Sequence, residues 1–431
     1  MTEPGMTEPG MADPGMADPG MTPRGRAALA FGSTARWASR ITGRGAGAMI
    51  GGLVAMTLDP SILRQLGAGR RCAIITGTNG KSTTTGMVAA ALSALGSVAT
   101  NGEGANMDAG LVAALSADRG ATLAALEVDE MHVPHVSDAV NPAVIVLLNL
   151  SRDQLDRVGE INHIERTLRT GLSRHPGAVV VANCDDVLMS SAAYDCPHVV
   201  WVAAGGGWSG DSVSCPRSGE MIVREGRNWH SSGTNFRRPA PQWWFDDETL
   251  YGPNGLALSM RLALPGSVNR GNAAQAVAAA VAMGADPAAA VAAVCGVEEV
   301  AGRYRTVRIG DKHTARLLLA KNPAGWQEAL SMVNKTAAGV VIAVNGQVPD
   351  GEDLSWLWDV RFEHFGGTAV VAAGERGTDL AVRLGYAGVE HSLVHDTVAA
   401  VESCSPGHVE VVANYTAFLQ LQRALGRAGA R

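Results

Sequence analysis

The chain has 431 residues, 46% of them hydrophobic, which is enough for two or three domains with real cores. Its formal net charge of −6, with no long basic block, excludes a general nucleic-acid binder. No run approaches the roughly 18 uninterrupted apolar residues of a membrane span, and no signal pattern opens the chain. The six cysteines (72, 184, 196, 215, 295 and 404) are scattered, which suits reduced thiols, so a cytoplasmic protein without a transmembrane segment is expected. Residues 1–20 are four pentapeptides, MTEPG, MTEPG, MADPG and MADPG, each opening on Met, which leaves Met21 as the latest candidate start. Pro and Gly recur every five residues with nothing to pack, so residues 1–26 are expected to be a disordered tail.

Residues 27–66 carry helical spacing, with Asp59–Pro60 as a helix start. From residue 71 strands and helices alternate: strands are predicted at 72–76, 122–128, 143–149 and 178–182, and helices at 81–95 and 160–174. That order implies a mostly parallel α/β sheet. Residues 196–240, rich in Gly, Ser, Trp and Arg, break the pattern and read as an insertion. Two Ala-rich helices follow at 272–283 and 287–295. A second α/β unit begins near 303, with strands at 338–344, 368–373 and 408–412 and a helix at 377–384. The expected domains are a tail (1–26), a first α/β domain (27–296) carrying the insertion, and a C-terminal Rossmann-like α/β domain (297–431).

The stretch CAIITGTNGKSTTTG, residues 72–86, joins a predicted strand to a predicted helix through a Gly-containing turn. Gly77, Thr78, Asn79, Gly80, Lys81, Ser82 and Thr83 form a short phosphate loop that offers backbone N–H groups, a helix N-terminus and an ammonium to an anion. A strict Walker A motif has Gly where this chain has Ile75. Only four of the 35 basic residues are lysine (81, 312, 321 and 335), so the loop has kept a compact ammonium in an Arg-dominated chain. Ser82 is the expected hydroxyl ligand of Mg²⁺. Glu127, Asp129 and Glu130 end the 122–128 strand at the edge that carries the phosphate loop, where a carboxylate can complete a Mg²⁺ shell or stand as a solvated strand end. From spacing alone, Asp350, Glu352, Asp353 and Asp359 are a solvated acidic loop, Asn272 a helix cap and Arg303 a surface charge.

GTNGKST, NGEGANM (101–107), LEVDE (126–130), NLSRDQLDRVGEI (149–161), ANCDD (182–186), LPGSVNRGNAAQA (264–276), AGRY (301–304), LAKNPAG (319–325) and DGEDLSWLWD (350–359) occur in that order. Together they resemble the MurT branch of the Mur ligases, the ligase-like subunits of bacterial lipid II isoglutaminyl synthases, from about residue 27 to 425. The resemblance implies a Mur-ligase-like P-loop ATPase domain with a zinc-ribbon-like insertion, and ATP and Mg²⁺ as cofactors. It implies phosphorylation of a carboxylate to an acyl phosphate that ammonia then attacks. By similarity Lys81 serves the phosphates, Ser82 and Glu127 hold Mg²⁺, and Arg303 reaches the site from the domain junction. Asn183, Asn269 and Asn272 resemble nucleoside-contacting positions, and Lys321 belongs to a motif that faces the active site. Asp353 is implied to complete the Cys-His pair of a GatD-like glutamine amidotransferase partner, because the chain has no glutaminase nucleophile motif of its own. The implied acceptor is the D-glutamyl α-carboxylate of lipid II at the inner membrane face.

Two departures stand out. The chain reads Asp153-Gln154-Leu155-Asp156 where many Mur ligases have Asp-His-Leu-Asp, which puts a second Mg²⁺ site in doubt. Of four implied zinc ligands in the insertion only Cys215 is kept; Ser218, Ser231 and Thr234 stand where the other thiolates fall, and neutral hydroxyls are poor zinc ligands. Cys196, His198 and His230 lie nearby without paired-ligand spacing, so no zinc is expected. An amino-acid ligase of the Mur or folylpolyglutamate type, and a non-catalytic nucleotide-binding scaffold for a glutaminase, remain alternative readings.

Overall fold

The computed structural model describes residues 21–41, 48–101, 105–152, 160–206, 208–298, 306–365 and 368–428. The pentapeptide repeats, the Asp153–Asp156 motif and Arg303 lie outside them.

Three helices open the described chain: α1 (Pro23–Ile41), α2 (Ala48–Leu58) and α3 (Ile62–Gly67). They lead into a first α/β unit made of β1 (Arg71–Thr76), α4 (Lys81–Leu92), β2 (Val98–Thr100), α5 (Asp108–Ala117), β3 (Leu123–Glu127), α6 (Val133–Val140) and β4 (Val144–Leu147). It continues with α7 (Glu160–Ser173), β5 (Val179–Asn183), α8 (Val187–Ala193) and β6 (Val199–Ala203), then a hairpin of β7 (Ile222–Glu225) and β8 (Asn228–Ser231). Next come β9 (Trp243–Asp246), β10 (Thr249–Gly252), β11 (Leu256–Ser259), α9 (Ser267–Ala282) and α10 (Pro287–Cys295). The second unit holds β12 (Thr306–Ile309), β13 (His313–Leu319), α11 (Pro323–Met332), β14 (Gly339–Ala343), β15 (Val370–Ala373) and α12 (Gly377–Tyr386). It ends with β16 (His391–Leu393), α13 (Thr397–Glu402), β17 (Gly407–Ala413) and α14 (Tyr415–Ala428).

The first sheet has nine strands in the order β11-β10-β9-β6-β5-β4-β1-β3-β2. It is parallel from β2 to β9, with an antiparallel β10–β11 edge. Its central strands are apolar on both faces because helices cover both, as parallel sheets require. Ile74, Leu126 and Leu147 pack with Leu111 and Leu168 on one side, while Ile75, Ala125 and Val146 pack with Met87 and the alanines of α9 on the other. The second sheet runs β12-β13-β17-β14-β15-β16, antiparallel only between β12 and β13.

Several sequence expectations need correction. Helix α1 starts at Pro23, inside the segment read as tail. Met21 is buried, and the Thr22 N–H donates to Gln65 Oε1 at 3.0 Å, an anchor 43 residues away that local composition cannot reveal. The segment 196–240 is not wholly an insertion, since Val199–Ala203 is the β6 strand of the main sheet. β9 to β11 extend that sheet past residue 240, where no strand was predicted. Helix α9 begins at Ser267 rather than 272, so Asn272 is inside the helix and is no cap.

Candidate active site

Parallel register sets the site. Ile75 at the end of β1 lies opposite Glu127 at the end of β3, so the phosphate loop and the acidic strand end leave the sheet side by side. The loop turns at Gly77 (φ +141°), where a Cβ would stand 2.8 Å from the Leu148 Cβ, and again at Gly80 (φ +84°), where one would press on Asn272 at 3.0 Å. Any side chain there would be strained and crowded, which is why both positions are glycine. The loop is pinned to the end of β4. Thr78 N–H donates to the Asn149 carbonyl (2.9 Å), the Asn79 N–H to Asn149 Oδ1 (3.0 Å), and Asn149 Nδ2 back to the Asn79 carbonyl (3.0 Å). Thr78 Oγ1 accepts the Ser151 N–H at 3.0 Å.

Helix α4 opens at Lys81, so its first-turn amides have no partner within the helix and are available to an anion. Ser82 and Thr83 are buried in that turn. Lys81 is folded back: Nζ donates to the Gly77 carbonyl at 2.6 Å and pairs with Glu130 Oε2 at 3.2 Å. Glu127 is held by Asn101, which accepts its N–H at 2.7 Å and donates to its carbonyl at 2.8 Å. Its Oε1 accepts a long 3.5 Å bond from Asn106, and its buried Oε2 has no hydrogen-bond partner. An orphaned buried carboxylate oxygen is costly unless something binds it. Among the described residues no three His, Cys, Asp or Glu gather as a metal cage. That arrangement fits Mg²⁺, which uses one or two protein oxygens and completes its shell with phosphate and water, and does not fit a metal held by protein alone.

Two adjoining cavities, of about 220 and about 260 Å³, meet at Val268, Asn272 and Glu328. The first holds Thr78 to Thr83, Glu127 and Asp129, and is closed by Lys321, Gly325 and Glu328 of the second unit. The second lies between Asn149, Asn183, Asp186, Trp208 and Phe245. The sequence reading missed what joins the halves. Asn322 caps α11 by accepting the Gly325 N–H (2.8 Å), and its Oδ1 also accepts Asn79 Nδ2 at 3.1 Å, across 243 residues. The only local signal for it was Asn-Pro at a helix start. It also missed Asn149, Asn106 and Asp186, whose carboxylate caps α8 and accepts the Leu150 N–H; burial pushes Asp186 up to about 6.

Not every expected residue reaches the cavities. Asn183 does, but its amide is engaged with the 204–205 loop, donating to the Gly205 carbonyl and accepting from Asp185 and Ala204. Asn269 lines neither: its Nδ2 donates to the Pro265 carbonyl (2.6 Å) and its Oδ1 accepts from Asn272 (3.5 Å), so it orients Asn272. Lys321 lines the first cavity, with Nζ 5.4 Å from the Tyr415 ring. Asp353 is outside both and exposed. Its Oδ1 accepts the Ser355 N–H at 2.8 Å, which holds its carboxyl below the usual range. The acidic loop is more than solvated: Asp350 accepts from Thr416 at the start of α14, and Asp359 pairs with Arg152 of the first unit at 3.5 Å. In the insertion, burial raises the Cys215 thiol. Hydrogen bonds from the Ser218 hydroxyl, the Arg217 and Ser218 N–H groups and the Ser231 hydroxyl outweigh that and bring it below its ordinary value.

A parallel sheet carrying a phosphate loop, an orphaned carboxylate beside it and a second α/β unit closing the cleft define an ATP-dependent ligase of the Mur type. Residues 75–280 match the Mur ligase middle domain and residues 319–418 the MurT ligase C-terminal domain. The chain is similar over almost its whole described length to subunits named MurT of lipid II isoglutaminyl synthase (glutamine-hydrolyzing). The Streptococcus pneumoniae subunit is 28% identical over 88% of this chain and 93% of its own length. The Staphylococcus aureus (strain COL) subunit is 27% identical over 93% and 98%. In fold the chain is similar to a pseudomurein peptide ligase type C from Methanothermus fervidus (TM-score 0.63, 17% identity, 83% of this chain and 79% of that one). It is likewise similar to a UDP-N-acetylmuramoylalanyl-D-glutamyl-2,6-diaminopimelate–D-alanyl-D-alanyl ligase from Acinetobacter baumannii (TM-score 0.61, 18%, 88% and 80%).

Proposed function

We propose that the chain is the ATP-consuming subunit of a two-protein enzyme that amidates the α-carboxylate of the D-glutamyl residue in lipid II, at the inner face of the cytoplasmic membrane. The observation that carries this reading is the placement of the MurT-type C-terminal segment. Its Lys321–Gly325 end closes the phosphate-loop cleft, while its Asp353 is exposed outside it.

In this reading a carboxylate oxygen of the acceptor attacks the γ-phosphorus of ATP, the bond to the ADP oxygen breaks, and an acyl phosphate forms. Ammonia adds to the acyl carbon, a proton is lost from nitrogen, and phosphate leaves with its C–O bonding pair. The protein's task is to hold the transferring phosphoryl group amid fixed positive charge. The α4 amides and Lys81 supply it, once Lys81 leaves Glu130. Ser82 and Glu127 would hold Mg²⁺, which neutralises phosphate charge when bound. Asn272 bridges phosphate and nucleoside cavities, and Lys321 approaches from the second unit. Arg303 is assigned the junction role on resemblance.

Asp353 is assigned to a GatD-like glutaminase partner, the ammonia source. An ionised, exposed carboxylate can orient the histidine that activates a partner's thiol. Its loop is braced for display: Trp356 stacks on buried Trp326 (5.4 Å), and Arg383 donates to the Leu357 and Val360 carbonyls beneath it. Reconstitution tests the reading. With lipid II, ATP, Mg²⁺, glutamine and a co-expressed glutaminase, mass spectrometry should show acid-to-amide conversion at the D-glutamyl residue. Product formed with a free amino acid and no partner would instead support an amino-acid ligase.

A further inference from the structure

The cleft does not account for the N-terminal helical hairpin. On α1, Phe31, Trp37 and Ile41 are 62%, 65% and 66% exposed; on α2, Met49, Ile50 and Leu53 are 42%, 40% and 54% exposed. Ala30, Thr34, Trp37 and Ile41 follow i, i+4, i+7 and i+11 spacing, one line down the outside of the helix. The opposite side is spent on packing: Ala28 and Leu29 are buried, and Gly32 meets the Gly51 carbonyl so closely that a Cβ would stand 2.5 Å from it.

Charge says what covers this surface. Between Met21 and Leu58 there are five arginines (24, 26, 36, 40 and 44) and no Asp or Glu, in a chain whose net charge is −6. The nearest acids in sequence are Asp18 and Asp59. Exposed Arg24 lies seven residues before Phe31, and exposed Arg26 four before Ala30 and eleven before Trp37, so arginines flank the apolar line on both sides. Arg24 is already engaged, its Nε donating to the Leu58 carbonyl at 2.7 Å beside buried Asp59. That leaves Arg26 and Arg36 as the basic groups of this face. A second copy would set that basic face against itself, which repels. Among the described residues no helix is long and apolar enough to cross a bilayer.

We propose that the α1–α2 hairpin is a membrane-surface dock. It would lie in the headgroup layer of an anionic bilayer, with Phe31, Trp37, Ile41 and the α2 apolar side chains inserted and Arg26 and Arg36 on lipid phosphates. Aromatic and aliphatic insertion with basic flanks is the pattern interfacial helices use, and the two contributions add. The hairpin is also fastened beside the cleft. Gly52 lies against the Ala109 carbonyl, where a Cβ would stand 2.0 Å away, in the first turn of α5 just after cleft-lining Asn106 and exposed Met107. Docking therefore brings the cleft lip to the lipid surface, which is useful if the acceptor is lipid-linked. That benefit rests on the proposed function; the binding itself does not.

Flotation of the full chain with phosphatidylglycerol/phosphatidylcholine vesicles and with phosphatidylcholine alone tests this. Salt-sensitive binding to the anionic vesicles only is expected. It should weaken at least tenfold in Trp37→Ser/Ile41→Ser and severalfold in Arg26→Glu, with ATP turnover on a water-soluble acceptor unchanged. The vesicles contain no peptidoglycan precursor, so the result stands apart from the substrate assignment. Circular dichroism confirms that the variants fold. Absence of vesicle binding, or equal binding by the variants, overturns the proposal. So does a dimer, or a complex with the glutaminase, that Trp37→Ser/Ile41→Ser dissolves, since that surface is then a protein interface.

Discussion

Lys81 Nζ sits 3.2 Å from Glu130 Oε2, both side chains being largely buried at 13% and 9% exposure, so the ammonium proposed to clamp phosphate is paired with a carboxylate. In the proposed reading, nucleotide binding trades that pair for phosphate. Lys81→Ala should retain the glutaminase partner but lose at least a hundredfold in ATP-dependent amidation, because a phosphate-clamping charge contributes several kcal/mol in such transition states. Glu130→Gln should do the opposite at the binding step: ATP affinity by calorimetry should rise several-fold, with Lys81 released. Unchanged affinity in Glu130→Gln would mean that the pair persists with nucleotide bound.

The unpartnered Oε2 of Glu127 predicts a metal dependence. Glu127→Gln keeps shape and the Asn101 bonds to its backbone but removes the charge. The Mg²⁺ concentration for half-maximal turnover should rise tenfold or more, while melting temperature without Mg²⁺ changes little, since the Asn101 bonds go to the Glu127 backbone. A fall in melting temperature with no change in the Mg²⁺ requirement would assign Glu127 to the fold instead.

Asn322 couples the two units through Asn79. Asn322→Ala removes a helix cap, worth about 1 kcal/mol, and the cross-unit bond with it. Asn322→Asp keeps the cap but cannot donate. If coupling matters, the alanine variant should raise KM for ATP several-fold beyond what its loss of stability explains. The aspartate variant should retain stability and most of the affinity, because Asn79 still has an acceptor there.

The phosphate loop was legible because its parts are contiguous: two glycines, a lysine and a hydroxyl between an apolar strand and a helix. Glu127 was legible for the same reason, as an acid ending an apolar strand. What closes the site was not. Asn322, Glu328 and Asn149 are ordinary polar residues in sequence and reach the phosphate loop only through strand order and packing. Asn269 was legible as a motif residue but not in its role, since only the fold turns its amide onto Pro265 and Asn272. The β9–β11 edge was missed because Trp243–Phe245 and Tyr251 sit next to an irregular, Gly-rich segment that masks their alternation, and β6 was absorbed into that segment.

The insertion makes a metal prediction that can be run in both directions. Cys215 already receives N–H groups of its own turn and two serine hydroxyls, and Ser218 Oγ lies 3.4 Å from Ser231 Oγ. That spacing suits the edge of a tetrahedral site more than isolated surface serines. Purified without a His-tag, the natural sequence should carry no stoichiometric zinc. Ser218→Cys/Ser231→Cys/Thr234→Cys should gain about one equivalent, with a higher melting temperature that chelator reverses, because thiolates bind zinc where hydroxyls do not. One equivalent in the natural sequence would reveal ligands that spacing did not identify.

Asp353 separates the two halves of the proposed enzyme. Its carboxylate is exposed, ionised and fixed by Ser355, on a loop braced by Trp356 and Arg383, and it lines neither cavity of the ATP cleft. Asp353→Asn preserves the loop, since the amide oxygen still accepts the Ser355 N–H, but removes the charge that would stabilise a partner's histidinium. Loss of that acid in a triad lowers turnover by orders of magnitude. Glutamine-dependent amidation should therefore collapse, while amidation driven by added ammonium salt persists, because Lys81, Ser82 and Glu127 are untouched. Both assays belong on one preparation, with the complex checked by size exclusion. If both activities fall while the complex stays intact, Asp353 serves the ligase site or the fold. If neither falls, it is an ordinary acidic residue that accepts the Ser355 N–H ahead of the Ser355–Trp358 turn, and the partner's triad is completed elsewhere.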